Sequence, residues 1–147
     1  MTSRKTRFAV FGTILSLLFP SCFSAQAKKP VFKNTQWICI HKMLILDVGT
    51  MTETYTIDFT TNKDCVYTYK WVIPAHPASF VREDGTVEMI PSSGSESTFQ
   101  GTWRYRGGRL TLSLEDGSTQ TYHYKDGRLI DPIASTDQLV FEQTNNQ

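Results

Sequence analysis

The chain has few of the residues from which metal sites and enzyme centres are usually built. Its 147 residues include 3 histidines and 3 cysteines, and these are not arranged in the close pairs that bind zinc. The sequence has no Gly-x-Ser-x-Gly turn that would present a nucleophilic serine, and no glycine-rich phosphate loop ahead of a helix. We therefore expect no metal site, no cofactor and no enzymatic activity.

The three histidines do not alter this expectation. His41 ends the first predicted strand, and His76 lies in a proline-rich loop. His123 stands between Tyr122 and Tyr124, and alternation places it on the opposite face of the strand, in solvent. Surface or core positions are commoner for histidine than roles as a ligand or general base.

The chain also has almost no excess of charge. It contains 15 lysine and arginine residues against 14 aspartate and glutamate residues, a net charge of +1. If the first 27 residues are removed, Arg4, Lys5 and Arg7 are lost, so 12 of the 15 basic residues remain and the balance becomes about −2. Neither balance suits a nucleic-acid-binding protein or a polybasic membrane binder, and we expect neither kind of partner.

The one long apolar run lies near the N-terminus, in residues 8–19, after a basic start. It is shorter than the roughly 20 residues that a membrane-spanning helix needs. Ala25-Gln26-Ala27 follows it and has the small-x-small pattern of a signal-peptidase site. We interpret residues 1–27 as a signal peptide cleaved after Ala27, and we expect the mature chain in the periplasm or cell envelope.

Cys22 offers an alternative to this cleavage. A leucine and a small residue precede it at the end of the apolar run, as at a bacterial lipoprotein site, although Phe19 and Pro20 fit that pattern poorly. We favour plain secretion, because the downstream site is the better match. A membrane is an expected partner only if Cys22 is lipidated, which would tether the domain through residues 28–30.

Two cysteines, Cys39 and Cys65, remain in the mature chain. Export to an oxidising compartment favours a disulfide between such a pair. Both lie in strand-like segments beside large apolar residues, so two buried free thiols are the alternative. The sequence does not show whether their Cα atoms come close enough to be bridged.

The mature chain is rich in alternation of apolar and polar residues. Between Phe99 and Leu129 it alternates with a period of two, with breaks at one Gly-Gly and two Asp-Gly pairs. This period is typical of strands with one buried face, and the pairs supply the positive φ of tight hairpin turns. Residues 52–59 and 65–73 alternate in the same way and predict a second hairpin.

Residues 74–97 interrupt the pattern. Two prolines near the start of this segment exclude a central strand, because proline lacks the ladder donor. We predict a short hairpin that pairs residues 79–82 with residues 86–90, and a flexible connection at residues 91–97. Such an excursion is either a binding loop or an unconstrained surface hairpin, and we favour the second.

Eight to ten short strands in about 120 residues, with no substantial helix, predict an all-β antiparallel meander that closes into a small barrel. Closure would leave no exposed sheet edge. The predicted organisation is a signal peptide at 1–27, a short lead at 28–34, the barrel at 35–142 and a polar tail at 143–147.

Several short segments are similar to those of lipocalin-like proteins. Asn34-Thr35-Gln36-Trp37 resembles the entry to the first lipocalin strand, although Thr35 stands where lipocalins usually have glycine. Four later segments resemble elements of small exported lipocalin-like domains common in Bacteroides-type bacteria: residues 55–59, 101–105, 110–114 and 139–142. The second and third lipocalin motifs have no counterpart. The resemblance implies an antiparallel barrel, a ligand cavity at one mouth and no known catalysis.

Aromatic residues are the main indication of function. If their strand faces point inward, they form either a packed core, which is the commoner use, or the lining of an apolar pocket whose hydroxyl groups orient a ligand. The candidate ligand-binding residues are Tyr67, Tyr69, Trp71, Trp103, Tyr105 and Tyr122.

Two functional hypotheses follow. In the first, the domain is a non-catalytic exported binding module that holds a small apolar or amphipathic ligand in the barrel mouth. In the second, it binds an envelope protein, or inhibits one, through the excursion at residues 74–97. A lined cavity of some hundreds of cubic ångströms would favour the first, and a filled interior with a protruding hairpin would favour the second.

Overall fold

Ten β-strands make up most of the described residues, 29–132 and 138–144, of the computed structural model, and no helix occurs among them. The strands are β1 (Thr35–Ile45), β2 (Gly49–Phe59), β3 (Asp64–Ile73), β4 (His76–Val81), β5 (Val87–Ile90), β6 (Ser93–Arg106), β7 (Arg109–Leu114), β8 (Thr119–Lys125), β9 (Arg128–Ile130) and β10 (Val140–Thr144). This confirms the predicted all-β class.

Eight of these strands form a closed antiparallel barrel in the order β1-β10-β9-β8-β7-β6-β3-β2. Each strand pairs with the next barrel strand along the chain, so the barrel is the predicted meander. Pairing of β1 with β10, from Gln36↔Thr144 to Ile38↔Glu142, closes the ring. Closure gives both terminal strands a second partner and removes the edges that an open sheet would expose.

The β4–β5 hairpin lies outside the barrel as a separate two-stranded sheet. It is inserted between β3 and β6, which pair directly over ten residue positions from Asp64↔Thr102 to Ile73↔Ser93. The hairpin confirms the predicted pairing within the 74–97 excursion, whereas the flexible connection predicted at 91–97 is wrong. Glycine and serine have low strand propensity, but here the long pairing with β3 outweighs it.

One glycine in this unexpected strand has a steric reason to be there. A Cβ added at Gly94 would lie 2.6 Å from the backbone oxygen of Trp71 on β3. Only glycine therefore allows β6 to approach β3 this closely at that point.

The tight turns form where the sequence predicts them. Gly107 and Gly108 join β6 to β7 with φ values of 59° and 79°. These left-handed values match the twist of a two-residue hairpin loop, so this turn sets the register in which Arg106 faces Arg109.

Phe32 closes one end of the barrel, which we call the closed end. Its side chain is 2% exposed, although the sequence pattern places it in a lead outside the barrel. Its ring centroid lies 5.1 to 6.0 Å from those of five other aromatic residues, namely Trp37, Phe59, Trp103, Tyr105 and Tyr124. Phe32 therefore belongs to the core, whereas its neighbours in the lead, Val31 and Lys33, are exposed. At the other terminus, β10 extends to Thr144, so the predicted polar tail begins too early.

Cys39 and Cys65 are buried free thiols, and the disulfide considered between them is not formed. Strand β2 separates them: Cys39 faces Tyr55, and Cys65 faces Phe59, four residues further along β2. Strand spacings put their Cα atoms about 10 Å apart across the sheet and about 13 Å apart along it. A disulfide needs less than about 7 Å.

The predicted signal peptide and Cys22 lie outside the described residues. Among residues 29–132 and 138–144, no helix is long and apolar enough to cross a membrane.

Candidate ligand-binding site

The strands on one side of the barrel are longer than those on the other side. Strands β1, β2, β3 and β6 have 11, 11, 10 and 14 residues, whereas β7 to β10 have 6, 7, 3 and 5. The long strands extend past the short ones at the end opposite Phe32. We call this end, beside the turns at 46–48 and 115–118, the mouth.

Strand register aligns one row of side chains across the inner face of the four long strands. His41 pairs with Glu53, Glu53 with Trp71, and Trp71 with Ser95. The next row towards the closed end is Cys39, Tyr55, Tyr69 and Ser97. The inner face near the mouth is therefore polar and aromatic, in contrast to the leucine-rich wall that β7 contributes.

A cavity of about 240 Å³ lies at the mouth. Its walls are aromatic and apolar residues of the interior together with polar residues of β8 and the turn before it: Tyr55, Tyr67, Tyr69, Phe99, Leu114, Asp116, Ser118 and Gln120. This volume is below the roughly 300 to 1,000 Å³ of sites for drug-sized molecules. It suits a small ligand, or one end of a larger one.

Glu53 is the one buried charged residue among those described, with 8% of its surface exposed. The hydroxyl of Tyr69 donates a hydrogen bond of 2.7 Å to its Oε1, and the hydroxyl of Tyr55 donates one of 3.0 Å to its Oε2. Nδ1 of His41 lies 3.1 Å from Oε2. Both carboxylate oxygens are thus satisfied, as a buried charge requires.

These contacts determine the charge of the cluster. Burial alone would raise the pKa of Glu53, but hydrogen bonds from Tyr69, His41 and Tyr55 outweigh it and hold the pKa below its ordinary value. Burial, and then the hydrogen bond to Glu53, raise the pKa of Tyr69 to about 12. At neutral pH the site therefore contains a carboxylate held by protonated phenols.

Tyr67 lines the cavity, and Tyr122 lies next to it in the core. Their hydroxyl groups share a hydrogen bond, and burial raises the pKa of Tyr67 to about 12. Tyr122 is almost fully buried, and its ring packs edge-on against Phe141 at 5.0 Å. The interior towards the closed end is filled by a cluster of buried side chains, so the barrel combines a packed core with a shallow cavity at its mouth.

The six aromatic residues predicted to bind a ligand do not form one site. Tyr67 and Tyr69 line the mouth cavity, and Trp71 lies on the same inner face, opposite Glu53. Tyr122 lies below, in the core. Trp103 and Tyr105 pack against Phe32 at the closed end, because β6 runs from the mouth towards that end. Grouping these two residues with the mouth is therefore wrong.

Sequence reasoning missed the centre of the polar cluster. Glu53 was not considered, and His41 was treated as an ordinary strand-end residue. The sequence does contain an indication, because Glu53 lies an even number of positions from Tyr55, Ile57 and Phe59 and so points to the same face of the strand. A carboxylate on an otherwise apolar face indicates a buried hydrogen-bonded group.

A second surface lies on the β4–β5 hairpin. Phe80 and Met89 are 60% and 59% exposed, and Val81, Val87 and Ile90 are also exposed. Pro77 of the hairpin and the β1–β2 turn enclose a further groove of about 360 Å³, next to the exposed side chains of Leu44 and Leu46. Apolar residues clustered on a protruding element are typical of a contact surface.

Compared with known protein families, curated proteins and solved structures, the chain gives no significant match.

Proposed function

We propose that this protein is a non-catalytic binding module that holds a small amphipathic ligand in the barrel mouth. The observation that carries the proposal is the mouth cavity of about 240 Å³, which has tyrosine and phenylalanine on one side and Asp116, Ser118 and Gln120 on the other. An apolar group of the ligand would contact the rings, and a polar group would bind the side chains near the rim.

The Glu53 cluster supports this proposal. A buried carboxylate is expensive to desolvate, and apolar residues of similar volume often stabilise a fold as well or better. Its hydrogen bonds hold Tyr55 and Tyr69 in place, and both of these residues line the cavity. The cluster thus pre-organises the cavity wall, which lowers the entropy lost when a ligand binds.

Native mass spectrometry of the mature protein, purified from its own host, tests the proposal. We expect a retained small molecule that is absent from Gln120→Trp, since Gln120 lines the cavity and a larger ring would fill it. Thr121→Trp is the matched control, because the neighbouring residue of β8 points to the opposite face. A bare mass for the wild type after incubation with host extract, or a ligand retained equally by both variants, would contradict the proposal.

The exposed hairpin favours a second candidate function, the binding of an envelope protein. In the variant Phe80→Ser/Met89→Ser, two of the exposed apolar side chains of the hairpin are removed. Chemical cross-linking in the host should then lose a stoichiometric partner that the wild type and Gln120→Trp both retain. If the partner depends on the mouth variant instead, the hairpin is not the contact surface.

A further inference from the structure

The outer wall of the barrel near its closed end carries a cluster of basic side chains. Arg106 of β6 faces Arg109 of β7 across the Gly107-Gly108 turn, and Arg109 in turn faces His123 of β8. Arg104 lies two residues from Arg106 on the same face of β6. A concavity of about 320 Å³ lies among these residues and Thr111, and we call it the basic groove.

The arginines of the basic groove lack the acidic partners that three other exposed cations, Lys70, Arg82 and Arg128, have among the described residues. Arg82 lies 2.8 Å from Glu88, and Lys70 lies 3.5 Å from Glu96. In the described part of the chain, no acidic side chain lines the basic groove and no ion pair involves its arginines.

This arrangement of unpaired arginines destabilises the folded protein. Like charges that face each other directly on neighbouring strands are destabilising, and the Arg106–Arg109 pair has this geometry. General basicity does not account for it, because the whole chain has a net charge of only +1. A bound anion would convert the repulsion into attraction, and the planar guanidinium groups of arginine bind oxyanions through paired hydrogen bonds.

A second, larger groove of about 760 Å³ adjoins the first and shares Arg104 and Thr111 with it. It adds one more cation, Lys63, the polar side chains of Asn62, Thr102 and Ser113, and the aromatic residues Trp103 and Tyr105. The described residues that line it also include no acidic side chain. The two adjoining grooves together are lined by the cations Lys63, Arg104, Arg106 and Arg109 and by the hydroxyl groups of threonine and serine residues.

We propose that the basic groove binds a soluble ligand that carries two or more phosphate or sulfate groups. One group lies between Arg106 and Arg109, where His123 offers a further nitrogen, and another lies near Arg104 and Lys63. The concave shape fits a discrete ligand better than a flat membrane surface. The groove lies at the opposite end of the barrel from the mouth, so this inference does not depend on the proposed function.

Isothermal titration calorimetry of the full mature chain with pyrophosphate, at ionic strength matched with chloride, tests the inference. We expect binding to the wild type, and a loss of affinity of about tenfold or more in Arg106→Gln/Arg109→Gln, because charge-assisted hydrogen bonds are lost. Lys70→Gln/Arg82→Gln is the matched control. It removes the same charge from two cations that already have acidic partners, and it should bind pyrophosphate like the wild type.

Thermal unfolding without ligand separates this role from a structural one. The Arg106→Gln/Arg109→Gln variant should melt at the wild-type temperature or above, because the substitution relieves repulsion. If this variant does not fold, the variant Lys63→Gln/Arg104→Gln is titrated instead, and it should show a similar loss of affinity for pyrophosphate. The inference is overturned if pyrophosphate binds no better than chloride, or if the control loses as much affinity. Binding confined to phosphatidylglycerol vesicles would also overturn it, since the groove would then recognise a membrane.

Discussion

The hydroxyl of Tyr69 on β3 donates a 2.7 Å hydrogen bond to Oε1 of Glu53 on β2. Because Glu53 is mostly buried, this bond replaces a hydrogen bond that the carboxylate would otherwise make to water. The pair ties two long strands together at the mouth and places the Tyr69 ring on the wall of the cavity. The geometry of the cavity wall and the stability of the fold are therefore coupled at this point.

Tyr69→Phe should destabilise the protein by about 1.5 to 3 kcal/mol, the usual effect of losing a hydrogen bond to a charged group. Urea unfolding at neutral pH measures the change. Tyr105→Phe is the control, because within the described residues its hydroxyl has no hydrogen-bond partner and its ring packs at the closed end. Equal stability of Tyr69→Phe and the wild type would show that water replaces the phenol.

Glu53 should make stability depend on pH. Its pKa is lower in the folded protein than the ordinary value of 4.5, which approximates the unfolded chain. Its ionised form therefore stabilises the fold above that pH, and the contribution is lost as the pH falls through the folded value. Urea unfolding of wild type and Glu53→Gln between pH 7 and pH 3 should give a wild-type advantage that declines as the pH falls below about 4.5.

The difference in unfolding free energy between wild type and Glu53→Gln cancels the contributions of the acidic groups that both proteins share. These groups include Asp84 and Asp116, whose pKa values are also lowered by hydrogen bonds in their turns. Glu96→Gln is the control, since Glu96 forms an exposed pair with Lys70 and should have little effect at any pH. A wild-type advantage that increases as the pH falls from about 4.5 to about 3 would contradict the prediction.

Phe32→Ala should cost about 3 to 5 kcal/mol, because it leaves a cavity beneath five aromatic rings. Val31→Ala should change stability by less than about 0.5 kcal/mol, because Val31 is 71% exposed. Denaturant unfolding of wild type and both variants measures these changes in the free energy of unfolding. If the two substitutions have similar effects, Phe32 does not close the barrel.

Cys39 and Cys65 should remain reduced and unreactive in the folded protein. Burial raises the pKa of both thiols, that of Cys65 to about 11, so little of the nucleophilic thiolate is present. Iodoacetamide should label both residues in denaturant and neither in the native protein, as read by mass spectrometry of tryptic peptides. A peptide in which Cys39 is linked to Cys65 would contradict the structure.

Much of the fold follows from local patterns. Alternation assigns the β2, β3, β6, β7 and β8 segments to strands, because a period of two buries one face of a strand whatever its partners are. Gly107-Gly108 predicts a turn because its backbone conformation is available to few other residues. The Asp84-Gly85 pair likewise predicts the turn of a hairpin between residues 79–82 and 86–90, which corresponds to β4 and β5.

The sequence-based predictions are wrong where residues distant in the chain determine whether a segment forms a strand or is buried. Ser93 to Ser97 form a strand because β3 pairs with them. Phe32 is buried because its side chain packs among five aromatic residues at the closed end of the barrel. Neither effect is visible in a window of neighbouring residues, since long-range pairing outweighs local propensity.

The sequence by itself determined most of the strands, where most turns fall and which side chains of a strand share a face. Only the tertiary structure decided which strands meet, and therefore that Glu53 lies beside Tyr69, that Trp103 lies far from the mouth, and that Arg106 faces Arg109. The physical reason is that alternation sets the direction of a side chain, whereas its neighbours depend on register and on barrel closure.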